Sequence, residues 1–228
     1  MGADVLDLGT YILDAVVVTT QVASVATLAM APVGILLGYL LARVSFRGRS
    51  LVQTLVSLPM VLPPVAVGLM LLMFLGRLGP AGSVLHNWFG VDLVFTWVAA
   101  AVAAAVMSFP LVVRSAEAAF AEVPIRLEQV ARTLGASRAR VFFTVTVPLA
   151  RRGILYGVVL GFSRSLGEFG ATILVAGNLP GETTTVAVGI FSLVEAGRDG
   201  DALVLIAVSV AMALVSVLAA ELWLKERR

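Results

Sequence analysis

Long intervals without a charged side chain dominate this sequence, and they leave few folds open to it. No Asp, Glu, Lys or Arg occurs between Asp14 and Arg43, between Arg49 and Arg77, or between Asp92 and Arg114. A fourth apolar interval starts after Arg152 and runs to about Asn178, interrupted only by Arg164 and Glu168, and a fifth extends from Ala202 to Leu224 with Glu221 near its end. A helix needs about 20 apolar residues to cross the hydrocarbon layer of a bilayer. Inside lipid every backbone polar group must be satisfied within the protein, so spans of this length are expected to be helices. The expected fold class is all-α: a polytopic transmembrane helix bundle of about five spans, forming one domain over residues 1–228. Composition agrees. Charged residues make up 13% of the chain and hydrophobic ones 60%, whereas a soluble domain carries about 25% charged residues.

The sequence has no cysteine and a single histidine, His86. Disulfides and thiolate metal sites are therefore excluded, no metal site is expected, and His86 reads as an interfacial loop residue. The net charge of +2 gives no reason to expect a nucleic-acid partner, and the placement of the charges is more informative. Arg43 to Arg49, Arg114 to Arg152 and the tail KERR hold 13 of the 16 basic residues, and an odd number of spans puts all three groups on one side. The opposite side holds Arg77 and Arg198 with Asp4, Asp7, Asp14, Asp92, Glu182, Glu195, Asp199 and Asp201. The positive-inside rule makes the basic side cytoplasmic, the N-terminus external and the C-terminus cytoplasmic. The N-terminal run MGADVLDLGTYILD lacks basic residues, which is the wrong flank for a cleaved signal, so the first span is expected to be retained. The stretch Thr184 to Gly197 is too short to cross and is expected to form an external or re-entrant helix.

Three spans are more than anchors. The second contains Pro59, Pro63 and Pro64 near its centre. Proline removes a backbone donor and interrupts the helical ladder, so this segment is either a kinked packing helix or one bordering a translocation path. The third has alanines paired four apart at Ala99/Ala103, Ala100/Ala104 and Ala101/Ala105, and the fourth has Gly153, Gly157 and Gly161 followed by Ser165. Such stripes let helix backbones approach closely. The fourth also carries Arg164 and Glu168, four residues apart and able to pair on one helix face. Ionisable groups in a span normally face a bundle interior or an aqueous cavity, so the pair either holds the bundle together or takes part in gating or in an ion path.

The segment RLEQVARTLGASRARVFFTVTVPLARR, Arg126 to Arg152, breaks the apolar pattern with six arginines. Pro124 suits a helix start. Leu127, Val130, Ala131 and Leu134 form an amphipathic stripe, Gly135 is the expected stop, and Ser137 is the expected cap of a second helix, which Pro148 is expected to end. A cytoplasmic helix–turn–helix within about residues 115–152 follows, its stripe ringed by Glu128, Arg132, Arg138 and Arg140. Periodicity and charge leave two uses open: lying on anionic lipid or inserting into a groove on another protein.

The stretch EQVARTLGASRARVFFTVTVP resembles the EAA loop of the membrane subunits of bacterial ABC importers, with Glu128, Ala131, Gly135, Phe142, Val145, Val147 and Pro148 at the patterned positions. It departs from that pattern where Gln129 and Val130 interrupt the alanines and Val147 replaces a leucine. The stretches LPMVLPPVAVG, FPLVVRSAEAAF and especially RSLGEFGATILVAGNLPGET are similar to the molybdate permease branch, which is close to the tungstate and sulfate permeases. The resemblance implies that Leu127, Glu128, Ala131, Leu134, Gly135, Ala136, Arg138, Phe142 and Pro148 belong to a coupling element docking on an ATP-hydrolysing subunit. It further implies a homodimer in the bacterial cytoplasmic membrane, two ATPase subunits beneath it and an external binding protein that delivers the oxyanion. A path must let the ion leave. Ser57, Ser108, Ser163 and Thr172 are candidate lining groups, together with Pro59, Pro63, Pro64, Arg164 and Glu168. A phosphate-binding loop needs G-x-x-x-x-G-K-[ST], and the one lysine is Lys225. ATP and magnesium are thus expected on the partner, with no cofactor and no catalytic residue on this chain. Two rivals differ in class. A gradient-driven transporter usually shows inverted repeats, which are not evident here, and for an intramembrane enzyme only Glu168 is eligible.

Overall fold

A computed structural model describes residues 8–225; Asp4, Asp7 and the last three residues of the KERR tail, used above for orientation, lie outside the described residues. Every element among the described residues is helical: α1 (Leu8–Arg43), α2 (Arg49–Val61), α3 (Pro64–Leu75), α4 (Pro80–Phe89), α5 (Trp97–Glu122), α6 (Ile125–Thr133), α7 (Arg138–Val141), α8 (Val147–Leu166), α9 (Gly170–Ala176), α10 (Val186–Glu195) and α11 (Asp199–Lys225). A π-helical turn, Phe142–Thr146, joins α7 to α8 without a break. Five helical stretches are long and apolar enough to cross a membrane: Leu8–Arg43, Pro64–Phe89, Trp97–Glu122, Arg138–Leu166 and Asp199–Ala219. The chain is a multi-pass membrane protein.

The trunk consists of α1, α5 and α8, and small residues set its spacing. A methyl group added at Gly38 would stand 2.7 Å from Ala116 Cβ and 2.8 Å from Glu117 N, so α1 and α5 run side by side with backbones almost touching. On the other flank of α5, Gly153 faces Ala119, Gly157 faces Ser115, and Gly161 faces Val112 and Met30, each closer than any side chain would allow. The glycine stripe expected from the sequence is therefore the α5–α8 interface. Ala99, Ala100, Ala101, Ala103 and Ala104 are all buried in the core shared with α1 and α9. Polar groups in the trunk are satisfied locally: Thr19 and Thr27 donate to the carbonyls of Ala15 and Ala23 at 2.6 and 2.7 Å. The Thr19 hydroxyl also accepts from Val186 N at 2.8 Å, which fixes the start of α10 against α1. The segment expected to hold an external or re-entrant helix is this 10-residue α10.

Four expectations need correction. The interval Arg49 to Arg77 is not one helix. It breaks at Leu62 and Pro63 into α2 and α3, and the apolar stretch long enough to cross starts at Pro64 and runs through α3 and α4 to Phe89, with a turn at 76–79 between them. Consecutive prolines remove two adjacent donors and push the preceding residue into extended backbone, and Leu62 has ψ 145°. The fourth span starts earlier than Arg152, at Arg138, and breaks at Gly167 to Phe169 before α9. Pro148 does not end a helix. It sits in the first turn of α8, where the change from π to α register leaves no hydrogen bond for its missing donor to break. His86 lies in helix α4, with Nδ1 3.1 Å from the Asp92 carboxylate. The two breaks meet in space: a methyl group on Gly170 would lie 2.8 Å from Pro64 Cβ, and one on Gly68 would lie 2.8 Å from Ala171 Cα.

Candidate functional site

At the basic end, α6, α7 and the π turn form an elbow. Gly135 has φ +85°. Its N–H bonds Arg132 O at 3.0 Å, and Ala136 N bonds Ala131 O at 3.1 Å. These two bonds close the end of α6 as a Schellman motif, and the left-handed φ is the reason for glycine. Ser137 then caps α7, its hydroxyl accepting from Arg140 N at 3.3 Å. Leu127, Val130 and Leu134 are exposed, Leu134 at 83%, with Ile125 beside them; Ala131 and Ala136 are half-buried. The stripe therefore points away from the bundle. Arg132, Arg138 and Arg140 stay exposed around it. A cleft of about 420 Å³ between the elbow and the end of α1 is lined by Arg43, Glu128, Arg132, Arg138 and Phe142 among others.

Glu128 differs from the sequence expectation. It turns inward, 12% exposed, and Arg43 Nη2 approaches its Oε1 at 3.0 Å. Thr146 donates to the same oxygen at 3.0 Å, and Arg43 Nη2 also donates to Val123 O at 2.8 Å. One carboxylate thus ties α6 to the end of α1 and to the root of α8. Phe142 backs this anchor, packing edge-on against Tyr39 (ring centroids 4.8 Å apart) and stacking near Phe120. Pro148 is exposed.

A second polar cluster was not singled out in the sequence. Helix α2 buries none of its residues, yet its inner face meets α5 through a dense set of bonds. Glu117 accepts from Gln53 Nε2 at 2.6 Å and Arg49 Nη2 at 3.3 Å. Arg114 donates to Gln53 O, to Glu117 and to the Ser57 hydroxyl. The Arg114/Glu117 spacing of three is the signal that could have found it.

Deeper in the bundle, Arg164 Nη2 lies 2.8 Å from Glu168 Oε2. The pairing expected from the spacing is present, but the two residues do not share one helix. Glu168 sits in the break after α8, where its Oε1 accepts from Ala171 N at 3.0 Å and so restarts the chain as α9. The structure also places the other candidate lining residues. Pro63 and Pro64 stand at the break that abuts Gly170, and Thr172 is buried nearby on α9. Ser108 is buried and bonded to Ser165 at 2.9 Å across the α5–α8 interface. Ser163 meets Ser216 of α11 at 3.1 Å. Ser57 and Pro59 lie on α2, Pro59 in the last turn before the break at Leu62. At the acidic end a cavity of about 510 Å³ is lined by Asp14, Gln21, Asp92, Phe95 and Glu182 among others.

The fold is shared with solved structures. The fold matches a bacterial ABC transporter involved in alginate import, with TM-score 0.74 and 22% identity over 94% of this chain and 79% of that one. It also matches the MetNI methionine ABC transporter, with TM-score 0.72 and 16% identity over 99% of both chains. In sequence, the chain is 48% identical over 211 residues, 92% of each protein, to the molybdenum transport system permease protein ModB of Escherichia coli. It is 45% identical to ModB of Haemophilus influenzae over 86% of each protein. Identity to the sulfate transport system permease protein CysT of Salmonella typhimurium is 38%, over 76% of this chain and 62% of that protein. The family model for the inner membrane component of binding-protein-dependent transport systems matches residues 34–223, and the chain belongs to that family.

Proposed function

We propose that this chain is the permease subunit of an ATP-driven importer that moves molybdate into the cell across the bacterial cytoplasmic membrane. The observation that carries the reading is the 48% identity to a molybdenum permease across 92% of both chains. The working unit is a homodimer seated on two ATPase subunits, which hold ATP and magnesium, and served from outside by an oxyanion-binding protein. The outward-facing stripe of Leu127, Val130 and Leu134 is the docking face. Closure of the ATPase dimer draws the two elbows together. Glu128 passes that movement to α1 through Arg43 and to α8 through Thr146, and the trunk tilts. The two apposed breaks, at Pro63–Pro64 and Glu168, border the path, because irregular backbone at membrane depth is stable only where protein buries it or a cavity lines it.

Vesicles reconstituted with the cognate ATPase and binding protein test this reading. Molybdate should accumulate only with ATP, and sulfate should compete poorly. Equal competition by tungstate or sulfate would shift the assignment among the oxyanions, which the 38% identity to a sulfate permease keeps as the second reading. Accumulation driven by an ion gradient without ATP would overturn it.

A further inference from the structure

The Arg164 guanidinium has one ionic partner among the described residues. The next residue, Ser165, bonds Ser108, which stands near the midpoint of α5; Arg164 therefore lies at mid-span. An arginine at that depth costs about 2.5–3.5 kcal/mol on insertion scales and is normally well paired. Here it makes a single ion-pair contact, 2.8 Å to Glu168 Oε2. That contact lacks hydrogen-bond geometry, and Oε2 is buried without any hydrogen-bond partner. The arginine side chain is 35% exposed while Glu168 is 2% exposed. On α8 the glycine stripe faces α5 and Ser163 faces α11. Arg164, beside Ser163 in sequence, is half-buried. By contrast, Arg114 gives donors to Gln53, Ser57 and Glu117.

We propose that Arg164 is a transit site for a tetrahedral oxyanion and that Glu168 is its built-in competitor. This rests on the oxyanion-import reading above. The free guanidinium N–H groups form a planar fork suited to two oxygens of one anion. An arriving dianion takes that fork and displaces Oε2 from contact. The carboxylate stays in place meanwhile, because Oε1 remains bonded to Ala171 N at the start of α9. A buried carboxylate left unpaired is strongly unfavourable, so Glu168 recaptures the arginine and the anion leaves. The competition makes the site weak enough to conduct.

Three variants, Arg164→Gln, Glu168→Gln and the double variant, decide the matter in the permease–ATPase complex. Molybdate binding is measured without the binding protein, and uptake is measured in vesicles with it. Glu168→Gln keeps an oxygen for Ala171 N but leaves the arginine uncompensated. It should bind molybdate at least about tenfold more tightly than wild type and transport it at least about tenfold more slowly. Arg164→Gln and the double variant should show no binding, and the double variant should be as slow as Arg164→Gln. A double variant restored to wild-type uptake, with binding unchanged in Glu168→Gln, would make the pair a structural tie and overturn the proposal. If Glu168→Gln does not assemble, Arg164→Lys decides instead. The transit site requires slow uptake in spite of the retained charge, and wild-type uptake overturns it. Wild-type vesicles that accumulate no molybdate, tungstate or sulfate would overturn both this proposal and the import reading, whereas wild-type uptake with a rescued double variant overturns the transit site alone.

Discussion

Two regions of this chain bury a glutamate beside an arginine, and they satisfy it in opposite ways. At the elbow, Glu128 Oε1 receives both Arg43 and Thr146, and Arg43 spends a further bond on Val123 O. In the fourth span, Glu168 divides its oxygens: one caps α9, and the other meets Arg164 in a contact with no hydrogen bond. The first arrangement joins three elements and leaves the arginine 11% exposed, whereas the second leaves it 35% exposed. Charge is costly inside a span. A pair tied into two further elements therefore suits a fixed joint, and one whose arginine stays partly accessible suits a group that changes partners.

Variants at the elbow probe the fixed side of this contrast, and the largest effect belongs to its turn. Gly135→Asp should reduce uptake by about 100-fold or more while the protein stays in the membrane at wild-type level, because it puts a charge beside the exposed apolar stripe proposed to dock. Nothing lies within 4 Å of where its Cβ would be, so Gly135→Asn, which tolerates that backbone, should retain most uptake. Equal loss in both would place the defect in the turn itself. Glu128→Ala comes next. It should lower uptake at least about tenfold while ATP hydrolysis by the complex continues, since truncating one member of a buried pair costs about 3–5 kcal/mol at that joint; uptake and hydrolysis falling together would instead indicate lost assembly. Thr146→Val removes one neutral-to-charged bond and should lower thermal stability by about 1.5–3 kcal/mol or less with a smaller fall in uptake. The exposed pair Arg77–Asp92, 64% and 48% exposed, sets the baseline. Arg77→Gln should change stability by less than about 1 kcal/mol, and a larger change would mean that burial does not govern these pairs.

Much of this was legible in the sequence because lipid imposes simple rules. Apolar length marked five spans, the second and fourth with other bounds, the arginines grouped at one end, and Gly135 and Ser137 punctuated the elbow as their backbone preferences require. The spacing of Gly153, Gly157 and Gly161 marked the α5–α8 interface. What escaped was decided by tertiary context. Pro148 is a reliable stop in a regular helix, but a π turn before it changed the register and removed the conflict. Glu128 looked like part of a charged rim because helical periodicity gives its face and not its partner, and Arg43 lies 85 residues earlier. The Arg164–Glu168 spacing implied a helical pair, yet the helix ends between them and the glutamate serves the next one. Hydroxyls such as Ser108 and Ser163 gave no sign of which helix they would meet.

The glycine contacts between α5 and its two neighbours have a mechanical corollary. Where backbone touches backbone there is no layer of long side chains to compress or change rotamer, so the trunk has no slack. A push delivered at one end of such a beam reaches the far end with its amplitude intact. A single methyl group at Gly157 would act as a shim that alters the angle of the whole lever.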